Sequence, residues 1–475
     1  MSEESQTESA SFKSSLGLVD ATMLVAGSMI GSGIFIVSAD ITRNTGSVGW
    51  LMFVWLLTGF MTLTAALSYG ELSAMFPKAG GQYVYLKEAY NPLISFLYGW
   101  SFFTVIQTAT IAAVAVAFAK FTAYLIPAFS EDLVAVDLGF LQISPAQLLS
   151  IVVIVLLTYI NTKGVNGGKA IQTTFTLAKL LSLLGLIVFG LLFMKPEVWE
   201  VNWAPESIWS LQRLNVDGSI EKYTTIAAFG AIAASMVGSI FSSDAWNNVT
   251  FIAGEIKNPQ RNIGLSLALG TIIVTVIYLL TNVMFTGVLS LQEIAASDKA
   301  RVGVTASQVI FGGAGTIIIA VMIMVSTFGC NNGLIMSGAR VYYSMAKDGL
   351  FFKKVGELNK NSVPEFGLWI QCIIASLWAL SGKYGNLLDM ISFVVVVFYM
   401  LTIVGIFILR KTRPDAPRPY KAFGYPFLPI IYILMGLSFC ILLIIYKPEY
   451  TWPGLIIVLL GIPVYYMIGR NNSNV

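Results

Sequence analysis

The residues best placed to do chemistry sit in two short runs, Val25-Ala-Gly-Ser-Met-Ile-Gly-Ser-Gly-Ile-Phe35 and Val237-Gly-Ser-Ile-Phe-Ser-Ser-Asp-Ala-Trp-Asn247. Each lies inside a long apolar stretch. Gly27, Gly31 and Gly33 each weaken a helix by about 1 kcal/mol. Ser242, Ser243, Asp244 and Asn247 place polar atoms where hydrocarbon would otherwise be. A helix broken at such a point bares amide N–H groups on one side and carbonyls on the other. A zwitterion needs both. Glycines at 31 and 33 let a carboxylate approach the amides that open the second half of the first run, while freed carbonyls at Met29, Phe241 and Asp244 are expected to take an ammonium. Two blander readings stand beside this one. Gly27 and Gly31 also form a small-xxx-small packing face, and Asp244 also suits the cap of a half-helix that restarts after the break.

Other chemistries lack their parts. The chain has no histidine, so the usual general base and commonest metal ligand are missing. Cys330, Cys372 and Cys440 lie far apart within apolar stretches, with neither metal-ligand nor disulfide spacing, and read as packing residues. No nucleophile, base and orienting group cluster together, so an enzyme is not expected, and neither is a cofactor or a metal. A net charge of +3 is too small to argue for nucleic acid.

The elements that must hold these runs are set by composition. Of 475 residues, 56% are hydrophobic and 11% charged, too apolar for a water-soluble chain of this length. Apolar stretches of about 20 residues span a bilayer as helices. Such spans are expected near 16–44, 48–75, 91–126, 146–162, 169–194, 224–255, 263–290, 313–346, 365–382, 386–410, 425–446 and 452–469. The fold class is therefore an all-α membrane protein of twelve transmembrane helices. The two broken runs fall in the first and sixth spans, at corresponding places of two five-span halves, which points to a five-plus-five inverted repeat with a midplane site. The halves are 16–194 and 224–410, with 425–469 outside the repeat. Residues 1–15 read as a disordered polar tail without a secretory signal, and 470–475 as a second tail. Of the 28 Lys and Arg residues, 18 fall on the side of the N-terminus and 8 on the other, with Lys120 and Lys179 inside spans. That bias places both termini in the cytoplasm. It also accounts for the Lys353/Lys354 and Arg410–Lys421 clusters, so the Asp415/Arg418 neighbourhood reads as a solvated inner loop.

The motifs Gly27–Phe35, Phe241–Asn247 and Gly254-Glu-Ile-Lys-Asn-Pro-Gln-Arg-Asn262 resemble the L-type amino acid transporter family of the amino acid, polyamine and organocation superfamily. Glu71–Gln82, Gln172–Leu181, Gly338–Tyr342 with Asp348-Gly349, and Arg413–Tyr420 extend the match in order along nearly the whole chain. The resemblance implies exchange of amino acids by alternating access. It implies that the backbone of Gly31, Ser32 and Gly33 holds the substrate carboxylate, and that the carbonyls of Met29, Phe241 and Asp244 hold the amine. Phe241 matches the aromatic that covers bound substrate, Ser242 stands at a usually small position beside it, and Asn247 matches a polar residue that orders the unwound segment or touches substrate. Lys179 lies about 15 Å deep in span five and must have a partner unless it snorkels. The family places a lysine there beside spans one and eight, about where sodium-coupled relatives bind an ion. Exchange independent of sodium and protons is therefore expected, with Lys179 coupling occupancy to closure.

Eukaryotic members link to a heavy chain through a cysteine between spans three and four. Ser130–Gln147 has none, so no disulfide-linked heavy chain is expected, and a stand-alone transporter of a microbial inner membrane is. No intramembrane group is clearly placed for a charged substrate side chain, which favours neutral amino acids such as alanine, serine, threonine or leucine. The rival within transport is a proton-coupled symporter using Glu71, Asp244 or Glu255, although Glu71 and Glu255 fall near span ends that water reaches. A non-transporting nutrient sensor is the rival from another class.

Overall fold

A backbone in hydrocarbon must pair its N–H and C=O groups internally, and a helix does so within one segment. The computed structural model is accordingly helical nearly throughout. It describes residues 14–137, 139, 142–297, 301–381 and 384–472, without the side chains of 165–171, 381, 384–387, 450 and 469–472. The first expected tail therefore lies outside the described residues except for 14 and 15, and the second except for 470–472, which continue the last helix.

The helices run α1 (Leu18–Met29), α2 (Gly33–Thr45), α3 (Val48–Met75), α4 (Gln82–Ala89), α5 (Pro92–Ser101), α6 (Gln107–Leu125), α7 (Pro145–Thr162), α8 (Val165–Leu192), α9 (Pro196–Asn202) and α10 (Thr225–Ser242). They continue as α11 (Asn248–Phe251), α12 (Pro259–Val288), α13 (Leu291–Ala295), α14 (Val302–Lys347), α15 (Glu365–Ser381), α16 (Tyr384–Thr412), α17 (Phe427–Tyr446) and α18 (Pro448–Asn472). A π-helical turn, Phe102–Ile106, joins α5 to α6. Two small antiparallel hairpins, Val136–Asp137 with Gln142–Ile143 and Gln212–Leu214 with Ile220–Lys222, sit in connections.

Among the described residues, ten helical segments are long and apolar enough to cross a membrane, and α1 with α2, taken as one span bent by 43°, makes an eleventh. The shorter apolar α15 falls on the ninth expected span, so a helical segment stands at each expected place. The sixth span is broken where expected: α10 stops at Ser242 and the chain turns through Ala245 at φ 63° before α11. One expected boundary needs correction. The eighth starts at Val302 rather than 313, since apolar helix continues beyond a break at Gly312, where φ is 68°.

One face of the bundle, here called the near face, carries Ser15 and Glu255; the far face carries Thr45 and Lys447. The near face is sewn shut. Ser15 N and Leu16 N donate to Glu255 O at 2.9 and 3.0 Å, and Lys257 N donates to Leu16 O at 2.8 Å. Arg340 Nε meets Glu255 Oε1 at 2.9 Å, both side chains 1% exposed. Glu71 is paired with Arg410 at 2.6 Å and Arg418 at 3.3 Å. Water therefore does not reach Glu71 or Glu255 as their positions near span ends suggested, because each is covered by a long-range arginine. Arg418 likewise leaves the solvated loop and is 8% exposed, while Asp415 stays exposed.

Candidate functional site

The first span breaks where its glycines said it would. The α1 helix ends at Met29, Ile30 is extended at φ −76°, ψ 94°, and α2 restarts after Ser32. A helix end leaves its last carbonyls without intrahelical donors. Here each is met by another group. Gly27 O accepts from Lys179 Nζ at 2.5 Å and Ile30 O at 2.7 Å. Ser28 O accepts from Cys330 Sγ at 2.9 Å. Ile30 O also accepts from Ser326 Oγ at 3.2 Å. Lys179 is fully buried and completes its shell with Ser326 O at 3.3 Å, so it does not snorkel. Its partner is main chain, not a carboxylate. A cation at a helix C-terminus stabilises by up to about 2 kcal/mol in partly buried geometry.

The glycines of this break sit at close contacts. A β-carbon on Gly27 would collide with Thr176 and Gln172 of α8, so that residue packs helix on helix. Gly31 faces Cys330 Sγ, 3.3 Å from where its β-carbon would sit. Gly33 lies against the second break: its β-carbon would fall 2.6 Å from Ser242 Cβ and 3.1 Å from Ser242 Cα. Ser32, between them, is buried.

The second break begins at Ser242, where Ser243 N still reaches Ser239 O at 3.0 Å and Asp244 N reaches Phe241 O at 3.1 Å. Tyr278 of α12 joins the two breaks. Its hydroxyl lies 2.9 Å from Ser242 O and 3.1 Å from Met29 O, so the Met29 carbonyl already shares a donor before any ammonium arrives. Asp244 does not start the short helix after the break. Asn247 takes that place, and the Asp244 carboxylate accepts from the Tyr399 hydroxyl of α16 at 2.5 Å. The Asp244 carboxylate is thus met by a hydroxyl of another span, and Asn247 at the start of α11 makes no side-chain cap bond. The network continues as Asn247 Nδ2 donates to Gln82 Oε1 at 3.0 Å and Gln82 Nε2 donates to Thr402 Oγ1 at 3.0 Å. Tyr69, Trp246 and Tyr399 pack around it, with ring centroids 4.8 Å apart for Tyr69–Trp246 and 5.2 Å for Trp246–Tyr399.

Two small voids touch this region. One of about 10 Å³ is lined by Tyr98, Gln107, Asp244, Asn247 and Tyr399. The other, of about 20 Å³, is lined by Ile240, Ser243, Asp244, Trp246 and Tyr399. Each has room for about one water, so neither holds an amino acid as the side chains now stand. Phe241 is buried beside the break.

Met29 and Ser242 thus come together through Tyr278, Gly33 lies directly against Ser242, Asp244 and Asn247 meet through Tyr399, and Lys179 holds the end of α1. Tyr278, Tyr399, Ser326 and Gln82 were not singled out from the sequence, and Cys330, read as packing, also acts as a donor. The one available signal was polar atoms recurring in otherwise apolar spans.

The amino acid permease family profile matches residues 16–468. The human large neutral amino acids transporter small subunit 2 is 30% identical over 456 residues, covering 96% of this chain and 80% of that protein. The mouse b(0,+)-type amino acid transporter 1 is 28% identical over 468 residues, covering 98% and 89%. The serine/threonine exchanger SteT of Bacillus subtilis is 29% identical over 471 residues, covering 98% of this chain and all of the relative. A chain with two broken spans, main-chain polar groups gathered at the breaks and this match from end to end belongs to the amino acid permease family, and it is a multi-pass membrane transporter of amino acids.

Proposed function

We propose that the protein exchanges neutral amino acids across a cell membrane by alternating access, without sodium or proton coupling. The observation that carries this is the Lys179 ammonium, held by the carbonyls of Gly27, Ile30 and Ser326. A fixed cation at the C-terminal end of the first half-helix neutralises the carbonyl dipoles that a bound ion would otherwise neutralise. The near face is then the cytoplasmic face, closed by the Arg340–Glu255 and Arg410–Glu71 pairs, and the two five-span halves act as an inverted repeat.

Substrate binds at the breaks. Amides opening α2 at Gly31, Ser32 and Gly33 take the carboxylate, and carbonyls at Met29, Phe241 and Asp244 take the ammonium. Ser242 and Asn247 shape the pocket, and Phe241 moves to cover it. Opening that pocket requires parting Gly33 from Ser242, which now touch. Two of the relatives bear names of neutral amino acid or serine/threonine transport, and the charged side chains at the breaks are already bonded, Lys179 to main chain and Asp244 to Tyr399. No disulfide-linked heavy chain is part of this reading, in keeping with three cysteines that are buried and free.

The test is efflux of labelled serine from proteoliposomes with single unlabelled amino acids outside, with and without ion gradients. Efflux that needs an external neutral amino acid and ignores sodium and pH gradients supports exchange. Uphill uptake into empty vesicles driven by a proton gradient would establish the symport alternative instead.

A further inference from the structure

A second cavity lies toward the far face, between α2, α10, the start of α16 and the hairpin at Gln212–Leu214. It holds about 480 Å³, within the usual size of small-molecule sites. Val37, Val237 and Gly238 line it, one helical turn outward of Gly33, Phe241 and Ser242. Its wall carries both signs of charge: Asp40, Arg43, Arg213, Asp389 and Lys447.

These charges are not equally committed. Arg43 is held by Asp40 Oδ1 at 2.7 Å and by Ala295 O at 2.7 Å. Lys447 Nζ stands 3.4 Å from Asp389 Oδ2, with side chains 39% and 15% exposed. That is longer than a tight charge-assisted bond of about 2.7–2.9 Å, so the pair gives up little when it parts.

We propose that this cavity is a second amino acid binding station, in which the zwitterion places its carboxylate on Lys447 and its ammonium on Asp389 before passing Gly238 to the central break. The exchange is one for one: each protein charge loses its loose partner and gains a substrate charge of the same sign, so no charge is stranded. A ligand with only one of the two groups leaves Asp389 or Lys447 without its replacement. The proposal rests on the transport reading above, yet it places a distinct set of side chains, outside both breaks, in contact with substrate. Unlike the central site of backbone dipoles, a half-exposed station of side-chain charges weakens as salt shortens the Debye length from about 10 Å at 0.1 M to about 3 Å at 1 M.

The experiment measures equilibrium binding of labelled serine, alanine, threonine and leucine to purified protein in detergent. The variants are wild type, Gly33→Leu, which blocks the central site, and Gly33→Leu combined with Asp389→Asn or Lys447→Met. Gly33→Leu is expected to retain weak binding that falls about tenfold with either added substitution and with 1 M salt. Binding lost completely in Gly33→Leu overturns the station but leaves the transport reading intact. Binding that survives both added substitutions also overturns it. Wild type that binds none of the four amino acids overturns both readings. Where Gly33→Leu does not fold, as judged by its melting curve, Asp389→Asn alone decides: it should raise the KM of exchange about fivefold with kcat kept. A lowered kcat at unchanged KM would mark the Asp389–Lys447 pair as structural only.

Discussion

The Lys179 ammonium lies 2.7 Å from the carbonyl oxygen of Ile30, the residue at which the first span stops being a helix. The same nitrogen reaches Gly27 O in α1 and Ser326 O in α14. One charge on α8 therefore fixes the distance between α1 and α14.

Removing it both strands a carbonyl and opens space, because the side chain is buried. Lys179→Ala leaves Gly27 O without the ammonium, at about 1–3 kcal/mol for an unmet buried acceptor, while Ile30 O keeps Ser326 Oγ. Exchange in proteoliposomes is expected to fall about 100-fold, a barrier change of about 2.7 kcal/mol, while membrane insertion and yield stay near wild type. Lys179→Arg should not restore it, because a planar fork does not direct its donors as a compact ammonium does. Unchanged exchange in Lys179→Ala would remove the lysine from the coupling role.

Gly33 and Ser242 meet across the two breaks, so a methyl group at 33 has nowhere to go while Ser242 keeps its side chain. Gly33→Ala is expected to lower serine affinity about tenfold. Ser242→Gly in the same chain removes Oγ and Cβ, the two nearest obstacles, and should recover part of that loss. Only Ser242 Cα, 3.1 Å from the new carbon, then remains tight. Equal affinities in the single and double variants would mean that the two residues do not act through this contact.

Tyr278 offers a further probe, because its hydroxyl reaches main chain of both breaks, Met29 O and Ser242 O. Tyr278→Phe keeps the ring against Trp55, whose centroid is 5.1 Å away, and removes one donor shared by two carbonyls. Net loss of a hydrogen bond is about 1 kcal/mol. The melting midpoint of the purified protein should drop by a few degrees. The KM for exchange should move more than the midpoint implies, since Met29 O then lacks its bridge to the second break. A melting shift with no change in KM would make Tyr278 a packing residue.

The spans were legible because hydrocarbon permits few alternatives to apolar helix. The breaks were legible because Gly31, Gly33, Ser242 and Asp244 violate that pattern locally. What joins the breaks was not. Tyr278 and Tyr399 sit in runs that read as apolar aromatic core; the Tyr278 hydroxyl reaches Met29, 249 residues away, and Ser242, 36 away, and the Tyr399 hydroxyl reaches Asp244, 155 away. Glu71 and Arg410 are 339 residues apart, so their pairing follows from three-dimensional packing and not from any local spacing. Asp244 illustrates the same limit, since its position after a broken helix fits a cap while the nearest buried donor belongs to another span.

The closed near face gives the last prediction. Arg340 and Glu255 are each 1% exposed and 2.9 Å apart, and Arg340 also donates to Met336 O. A buried pair of this kind has a large desolvation cost, so removing one partner costs more than removing both. Arg340→Met leaves the Glu255 carboxylate buried beside the chain that carries Ser15 and Leu16, and should destabilise by about 3–5 kcal/mol. Glu255→Met with Arg340→Met should recover most of that in a denaturant or thermal melt. Function should not recover with it. Because Glu255 O also receives the Ser15 and Leu16 amides, the pair closes the start of α1 against α14. An apolar pair in its place has no charge that water rewards when the face opens. Exchange in the double variant is therefore expected to stay several-fold low at restored stability, with the protein biased toward the state closed on this face. A double variant as unstable as Arg340→Met, or one with wild-type exchange, would show that the pair neither bears this desolvation cost nor gates the face.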